Sequence, residues 1–194
     1  MNTDVFNNVE RATIESVKIA IRNQLRILFA DLPTSYYKLL EGCILTGGAS
    51  ASLFHGETPN DWDVYLENGT KSENFLNRVL NNDENIYEQI LEINPNYRVR
   101  KTLVPGIYVT ESAITFKNGL QIIVNADKTT RQNGFDFVHC LPYFDMKTQQ
   151  YYISRAQYDA INNKHLIQNP NYIGQPIVSR LDKFWSRGWT NKTA

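Results

Sequence analysis

Residues 43–66 read CILTGGASASLFHGETPNDWDVYL, and this stretch decides the predicted fold. The apolar run 43–46 has the composition of a short buried strand. Gly47 and Gly48 follow it and predict a tight turn. A short helix is predicted directly after the turn, over residues 49–55. The order strand, turn and helix places backbone N–H groups where the oxygens of a phosphate chain could be bound.

A loop over residues 56–60 then leads into a second strand, in which Asp61 and Asp63 alternate with apolar residues. Side chains two residues apart on a strand point to the same side. The two carboxylates can therefore bind the same hard cation through oxygen atoms. An aspartate pair on a solvated strand edge is the alternative interpretation, and the neighbouring diglycine turn favours the functional one.

Further elements are predicted on both sides of this unit. Apolar residues at helical spacing predict a first amphipathic helix, and Asn118-Gly119 between two apolar runs predicts a hairpin. The spacing of Ser154 and Gln157 predicts a capping box. The predicted helices cover 8–30, 36–40, 72–80, a piece ending at 91, 154–163 and 176–188, and the predicted strands cover 113–116, 120–124, 135–141 and 151–153. Together they predict an α+β fold with a mixed sheet flanked by helices.

The chain has 194 residues, with 20 basic and 20 acidic side chains. This length predicts a single domain, with N-terminal helices over 8–41, a sheet over 42–153 and C-terminal helices over 154–189. The formal net charge of zero argues against a broad electrostatic contact with nucleic acid, which needs many cations. A local basic strip is predicted between Lys164 and Lys192.

The N-terminus lacks the basic and apolar regions of a secretory signal, and no later stretch is long and apolar enough to span a membrane. We therefore expect a cytoplasmic protein without a membrane partner. Cys43 and Cys140 have no partner at ligand spacing. Both are predicted to be reduced and buried, and neither predicts a zinc site.

The segment 45–49 (LTGGA), followed by Leu53, Gly56 and the strand 61–63 (DWD), resembles the signature of the DNA polymerase β-type nucleotidyltransferase superfamily. The pattern is most similar to the head domain of tRNA CCA-adding enzymes and bacterial poly(A) polymerases. The chain is also similar to small nucleotidyltransferase-like proteins of bacteriophages. The resemblance implies the nucleotidyltransferase fold.

The resemblance also implies a site. Asp61 and Asp63 would bind Mg²⁺ or Mn²⁺, and Asp136 would be either a third metal ligand or a nucleotide-recognition residue. Glu111 and Asp127 are the alternatives to Asp136. The residues implied to bind a nucleoside triphosphate such as ATP are Gly47, Gly48, Ser50, Arg180 and Lys183. For Ser50, an ordinary helix cap is an equal alternative. For Arg180 and Lys183, which share helical spacing with Arg187, an exposed cationic helix face is the alternative.

Two departures from the family pattern argue against its scheme of base selection, and CCA addition is not the expected function. Ala51 and Ser52 replace an Arg-Asp pair, and Gly134 and Phe135 replace an Arg-Arg pair. The expected function is therefore magnesium-dependent transfer of a nucleoside monophosphate from a triphosphate to an RNA end or a protein, with release of pyrophosphate. The alternative is a catalytically silent binding or structural protein, for example one with an assembly partner in a phage particle. For a phage-encoded chain, the host cytoplasm or the virion is expected.

Overall fold

The computed structural model describes residues 5–30, 32, 34–81, 99–104, 107–110, 112–116, 118–175 and 178–191. Within these residues lie six α-helices: α1 (Asn8–Ala30), α2 (Tyr37–Leu40), α3 (Gly48–Phe54), α4 (Gly69–Leu80), α5 (Arg155–Asn162) and α6 (Val178–Trp185). Short 3₁₀ helices cover Thr34–Tyr36, Arg131–Asn133 and Val138–Cys140.

An eight-stranded sheet forms the centre of the described chain. Its strands are β1 (Ile44–Thr46), β2 (Trp62–Tyr65), β3 (Val99–Val104), β4 (Ile107–Thr110), β5 (Ala113–Thr115), β6 (Leu120–Ile123), β7 (Tyr143–Asp145) and β8 (Gln150–Tyr152). Their order is β3-β4-β5-β6-β2-β1-β7-β8. The pair β2–β6 is parallel and the other pairs are antiparallel, so the predicted mixed sheet is confirmed. Two short parallel strands, β9 (His165–Leu166) and β10 (Thr190–Asn191), form a separate pair.

Local signals in the sequence explain several of these elements. The predicted capping box is present at the start of α5, where the Ser154 hydroxyl accepts from the backbone N–H of Gln157 at 3.3 Å. The predicted hairpin is present as β5 and β6. The predicted helix ending at residue 91 lies outside the described residues, as does the start of the last helix at residues 176–177.

The predicted strand over 135–141 is wrong. Residue Phe137 forms an isolated bridge with Gln168, and Val138–Cys140 forms a 3₁₀ helix. The Cys140 carbonyl accepts from the backbone N–H of Gly47 at 3.0 Å and lies 3.0 Å from the Thr46 hydroxyl. The Cys140 carbonyl is therefore bonded to residues at the end of β1. Pro142 has no backbone N–H, so it cannot donate a hydrogen bond to a neighbouring strand.

The sheet has two different faces. On the first, which we call the apolar face, Leu45, Val64 and Phe144 pack against α1 through residues such as Ile21 and Leu25. All five side chains are almost completely buried. This face contains the larger hydrophobic core of the described chain.

The second face contains the aspartates, and we call it the cleft face. Thr46 pairs with Asp63 and Ile44 pairs with Tyr65, and side chains of paired residues share a face. A second apolar cluster, with Phe135 and Phe184 among its members, covers part of this face. The remaining part opens into a cleft. Among the described helices, none combines the length and apolar character needed to cross a bilayer.

Candidate functional site

The cleft lies between the loop that precedes β2, the first residues of α3, and the C-terminal segment around α6. Asp61 and Asp63 both line it, together with Gly48. Asp63 lies on β2 and Asp61 directly precedes that strand, whose start is held in place by the Trp62 backbone N–H, which donates to the Gly119 carbonyl at 3.0 Å. The structure therefore brings the predicted carboxylate pair and the diglycine turn together.

Gly47 is the residue of the turn that only glycine suits. Its φ of 86° lies in the left-handed region, and a Cβ built on it would overlap Oδ2 of Asp63. The Asp63 carboxylate thus lies directly against the turn. Gly48 differs, because its φ is ordinary and a Cβ there would meet nothing within 4 Å.

The two carboxylates have no direct polar partner. Neither forms a hydrogen bond or an ion pair with any described residue. Burial first, and the neighbouring charge of Asp61 second, raise the pKa of Asp63 from 3.8 to about 7, while the charges of Arg180 and Lys183 act in the opposite direction. A divalent cation would supply the missing positive charge, and carboxylate oxygens are the donors that Mg²⁺ prefers.

Asp136 does not join this pair. Its two carboxylate oxygens accept from Nε and Nη2 of Arg180, at 2.8 and 2.9 Å, and its side chain is 5% exposed. The segment that carries it is not a strand beside β2, because β1 and β6 occupy both positions next to β2. Within the described ranges, no three Asp, Glu, His or Cys side chains come together as a possible metal site. The predicted three-acid cluster is thus not formed.

Of the two alternative acids, Asp127 lies within the described residues and does not line the cleft. Glu111 lies outside the described residues. The Asp127 carboxylate accepts hydrogen bonds from Thr129 and Thr130 in its own loop. It therefore organises that turn.

The cations of the C-terminal segment form the opposite wall of the cleft. Arg180 and Lys183 lie one helical turn apart on α6, and Arg187 follows in the turn after it. The Lys183 carbonyl accepts from the Ser186 hydroxyl at 2.9 Å, whereas its ammonium group forms no hydrogen bond or ion pair with the described part of the chain. Arg187, which shares the helical spacing of Arg180 and Lys183, also lines the cleft.

Ser50 does not line the cleft. It is fully buried, and its hydroxyl lies beside that of Tyr151 without a hydrogen bond of standard geometry. The reason is the helical period, because Gly48, Ala49 and Ser52 share one face of α3 and Ser50 lies on the other. Ser52 is the serine at the cleft, where its Oγ accepts from Nη2 of Arg187 at 3.0 Å.

His139 lies behind the cleft in an aromatic cluster. Its ring centroid is 4.1 Å from that of Trp189 and 4.6 Å from that of Phe184. Burial first, and the charges of Arg180 and Arg187 second, lower its pKa to about 3, so it is neutral at physiological pH. Both cysteines are free and buried, as predicted, and burial raises the pKa of each thiol to about 12.

The fold and the cleft together define an α+β protein with an acidic pair facing a cationic helix. The sequence profile of the Gabija anti-defense 2 family matches residues 19–164, and the chain belongs to this family. The protein named Gabija anti-defense 2 of Bacillus phage SPbetaL7 is 27% identical over 149 residues, which make up 76% of this chain and 34% of that protein. The chain therefore spans about a third of the length of this relative.

Two solved structures are also similar to this chain. The Thermotoga maritima CCA-adding enzyme complexed with tRNA-CCA has a TM-score of 0.44 and 14% identity. A CCA-adding enzyme in apo form I has a TM-score of 0.43 and 13% identity. Each comparison covers 84% of this chain and 36% of the other.

Proposed function

We propose that the chain is a divalent-cation-dependent nucleotidyltransferase, which moves a nucleoside monophosphate from a nucleoside triphosphate to an acceptor hydroxyl and releases pyrophosphate. The observation that supports the proposal is the pair Asp61 and Asp63, which has no hydrogen bond or ion pair with the described residues and faces Arg180 and Lys183 across one cleft. Carboxylates without partners suit metal binding, and the cations opposite suit phosphate oxygens.

In this proposal, Asp61 and Asp63 bind Mg²⁺ or Mn²⁺. The bound cation would neutralise the phosphate charge and increase the acidity of the acceptor hydroxyl. The chain itself positions the reactants, because Gly47 keeps the Asp63 carboxylate against the turn and Trp62 fixes the strand. Positioning and electrostatic stabilisation account for most of the rate enhancement in phosphoryl-type transfer.

The cationic wall would bind the triphosphate. The ammonium group of Lys183 is available because it forms no hydrogen bond or ion pair with the described residues. Asp136 acts through Arg180, since its bidentate ion pair fixes the guanidinium at the cleft. We therefore assign Asp136 as a positioning residue.

The acceptor is an RNA end or a protein. The family is named for opposing the Gabija defense, and we propose that the transfer serves that purpose in the host cytoplasm. The second candidate is a catalytically silent protein that binds a triphosphate or an assembly partner. It is favoured by one observation, namely that no third acid joins Asp61 and Asp63 within the described chain.

The test is a transfer screen with labelled nucleoside triphosphates and Mg²⁺ against total bacterial RNA and protein. The native chain is compared with Asp61→Asn and with Asp159→Asn, a matched change on α5 outside the cleft. We expect label to be incorporated by the native chain and by Asp159→Asn, and to be lost with Asp61→Asn. Incorporation that survives in Asp61→Asn contradicts the proposal. Triphosphate binding that depends on Asp61 without any incorporation identifies the silent protein.

A further inference from the structure

A pair of stacked aromatic rings lies at the edge of the sheet, on the cleft face. Tyr143 on β7 pairs with Tyr152 on β8, and their ring centroids are 4.8 Å apart with an interplanar angle of 18°. β8 is the last strand of the sheet on this side. Tyr152 is 41% exposed although its ring packs on that of Tyr143. A large part of the Tyr152 ring is therefore free to stack against a ligand.

A cation packs on the same pair. The guanidinium carbon of Arg131 lies 4.2 Å from the centre of the Tyr143 ring, and Nη1 of Arg131 donates to the Lys128 carbonyl. Arg131 forms no ion pair with a carboxylate of the described residues. The nearby Asp145 carboxylate accepts two backbone N–H groups of its own turn. Positive charge beside stacked rings is the combination with which proteins bind single-stranded nucleic acid.

The register of the strands connects the tyrosine pair with the candidate site. Thr46 on β1 pairs with Asp63 on β2, and the register of β1 with β7 places Tyr143 next to Thr46. Asp63 and the two tyrosines therefore lie in one row across β2, β1, β7 and β8. Neighbouring strands lie about 4.8 Å apart, so the backbone of Tyr152 is about 14 Å from that of Asp63. A short run of nucleotides can span this distance.

A groove continues from Tyr152 towards α1. It has a volume of about 370 Å³, and its lining includes Arg11 and Lys18 of α1. Lys18 forms an ion pair with Glu15, whereas Arg11 donates only through Nε, to the Phe6 carbonyl at 2.9 Å. Nη1 and Nη2 of Arg11 thus have no partner in the described chain. These two parallel N–H groups suit the oxygens of a phosphate.

We infer that Tyr152 stacks with an unpaired base of a single-stranded RNA acceptor, a few nucleotides before the hydroxyl that reacts, and that Arg11 contacts a phosphate of the same strand. The inference rests on the proposed function and names RNA as its acceptor. Stacking on aromatic rings needs few cations, so it agrees with the formal net charge of zero. Every base has a flat face, and we therefore expect binding that tolerates many sequences.

The test measures the binding of a labelled single-stranded RNA of about twelve nucleotides by fluorescence anisotropy. We expect Tyr152→Ala to weaken binding about tenfold, as for the loss of one stacked base. Tyr152→Phe should retain most of the affinity, because the ring stacks and the hydroxyl does not. Tyr37→Ala is the matched control, since Tyr37 is 47% exposed and lies on α2, outside the row and the groove. Native affinity in Tyr152→Ala would overturn the inference.

Two further measurements separate stacking from charge. Arg11→Gln should weaken binding and reduce the slope of log affinity against log salt by about one, whereas Tyr152→Ala should keep the native slope. Arg26→Gln, also on α1 but outside this groove, is the control for Arg11. An unchanged slope in Arg11→Gln would contradict the phosphate contact. The melting temperature of each variant verifies that it is folded.

Blunt-ended duplex RNA tests the need for an unpaired base. Its bases are already stacked, so Tyr152→Ala should bind the duplex as the native chain does. An equal, tenfold loss with duplex and single strand would overturn the stacking contact.

The outcomes distinguish this inference from the proposed function. If label is transferred to protein, and equally by Tyr152→Ala and the native chain, the inference is wrong and the proposed function stands. If Tyr152→Ala lowers the affinity for single-stranded RNA and no transfer is found, the RNA surface is supported and the transferase is not. If the native chain binds RNA no better than Tyr152→Ala and no transfer is found, both are wrong.

Discussion

The two faces of the central sheet have different physical characters, although they belong to the same strands. On the apolar face, Leu45 and Val64 are completely buried against the helices. On the cleft face, the neighbouring residues Thr46 and Asp63 are polar, and Asp63 lacks a compensating partner in the described chain. Adjacent residues of the same strand therefore have different roles: Leu45 and Val64 contribute to the core, and Thr46 and Asp63 lie on the side of the candidate site.

This difference shows how the fold distributes its free energy. The apolar face contributes most of the hydrophobic stabilisation, which is proportional to the buried area. The cleft face reduces stability by holding like charges and a neutral histidine in buried surroundings. Substitutions on the first face should thus change the free energy of unfolding, and those on the second should change ligand affinity.

The largest effect on stability is expected from Leu45→Ala on the apolar face. The change leaves a cavity beside Val64 and should lower the free energy of unfolding by about 3 kcal/mol. Urea denaturation measures this loss. The folded fraction should bind Mg²⁺ and tripolyphosphate as the native chain does, since Leu45 points away from the cleft. A change in that affinity would mean that the two faces are coupled.

The next largest effect is expected from Gly47→Ala, compared with Gly48→Ala. The two variants test the contact between the turn and the Asp63 carboxylate. Gly47→Ala should cost about 2 kcal/mol, because its left-handed φ disfavours alanine and the methyl group would displace Asp63. It should also weaken Mg²⁺-dependent tripolyphosphate binding. Gly48→Ala is the comparison for stability and should not lower the free energy of unfolding, because a Cβ at this residue meets nothing within 4 Å. Equal behaviour of the two variants would contradict the assigned contact.

We expect the protein to lose stability in acid because His139 is buried in its neutral form. An unfolded histidine takes up a proton below about pH 6.5, whereas the native His139, with a pKa of about 3, does not. Protonation of His139 in the unfolded state therefore does not affect the free energy of unfolding above pH 6.5. As the pH falls below this value, the free energy of unfolding decreases, by about 2 kcal/mol at pH 5. Thermal unfolding at pH 7 and pH 5 measures the effect.

A variant comparison is needed for His139, because the raised pKa of Asp63 acts in the opposite direction between about pH 7 and pH 4. His139→Phe should lose less stability than the native chain between pH 7 and pH 5. His165→Gln, on β9, serves as the comparison for replacing a histidine outside the aromatic cluster. Identical pH dependence in His139→Phe and the native chain would refute the assignment.

The smallest effect is a gain in stability. Asp63→Asn removes a carboxylate that is close to Asp61 and has no compensating partner in the described chain, so it should raise the free energy of unfolding by about 1 kcal/mol in metal-free buffer. The same variant should abolish the rise in melting temperature that Mg²⁺ and a triphosphate give the native chain. A loss of stability in metal-free buffer would show that Asp63 has a structural role.

The sequence by itself determined the elements whose signals are local. The strand, turn, helix and strand around Gly47 and Asp63 depend on residues that are close in the chain, as does the capping box at Ser154. Period-two geometry placed Asp61 and Asp63 on one side. The hairpin of β5 and β6 depends on the turn at Asn118-Gly119.

Only the tertiary structure decided which charges meet. Asp136 is paired with Arg180, which lies 44 residues further along the chain, and Ser52 accepts from Arg187 over a separation of 135 residues. Backbone hydrogen bonding also decided the conformation of residues 138–140, because the Cys140 carbonyl accepts from the backbone N–H of Gly47, which is distant in the sequence. A buried charge is stable only beside a partner, and that partner is chosen by the packing of distant segments, which no local pattern encodes.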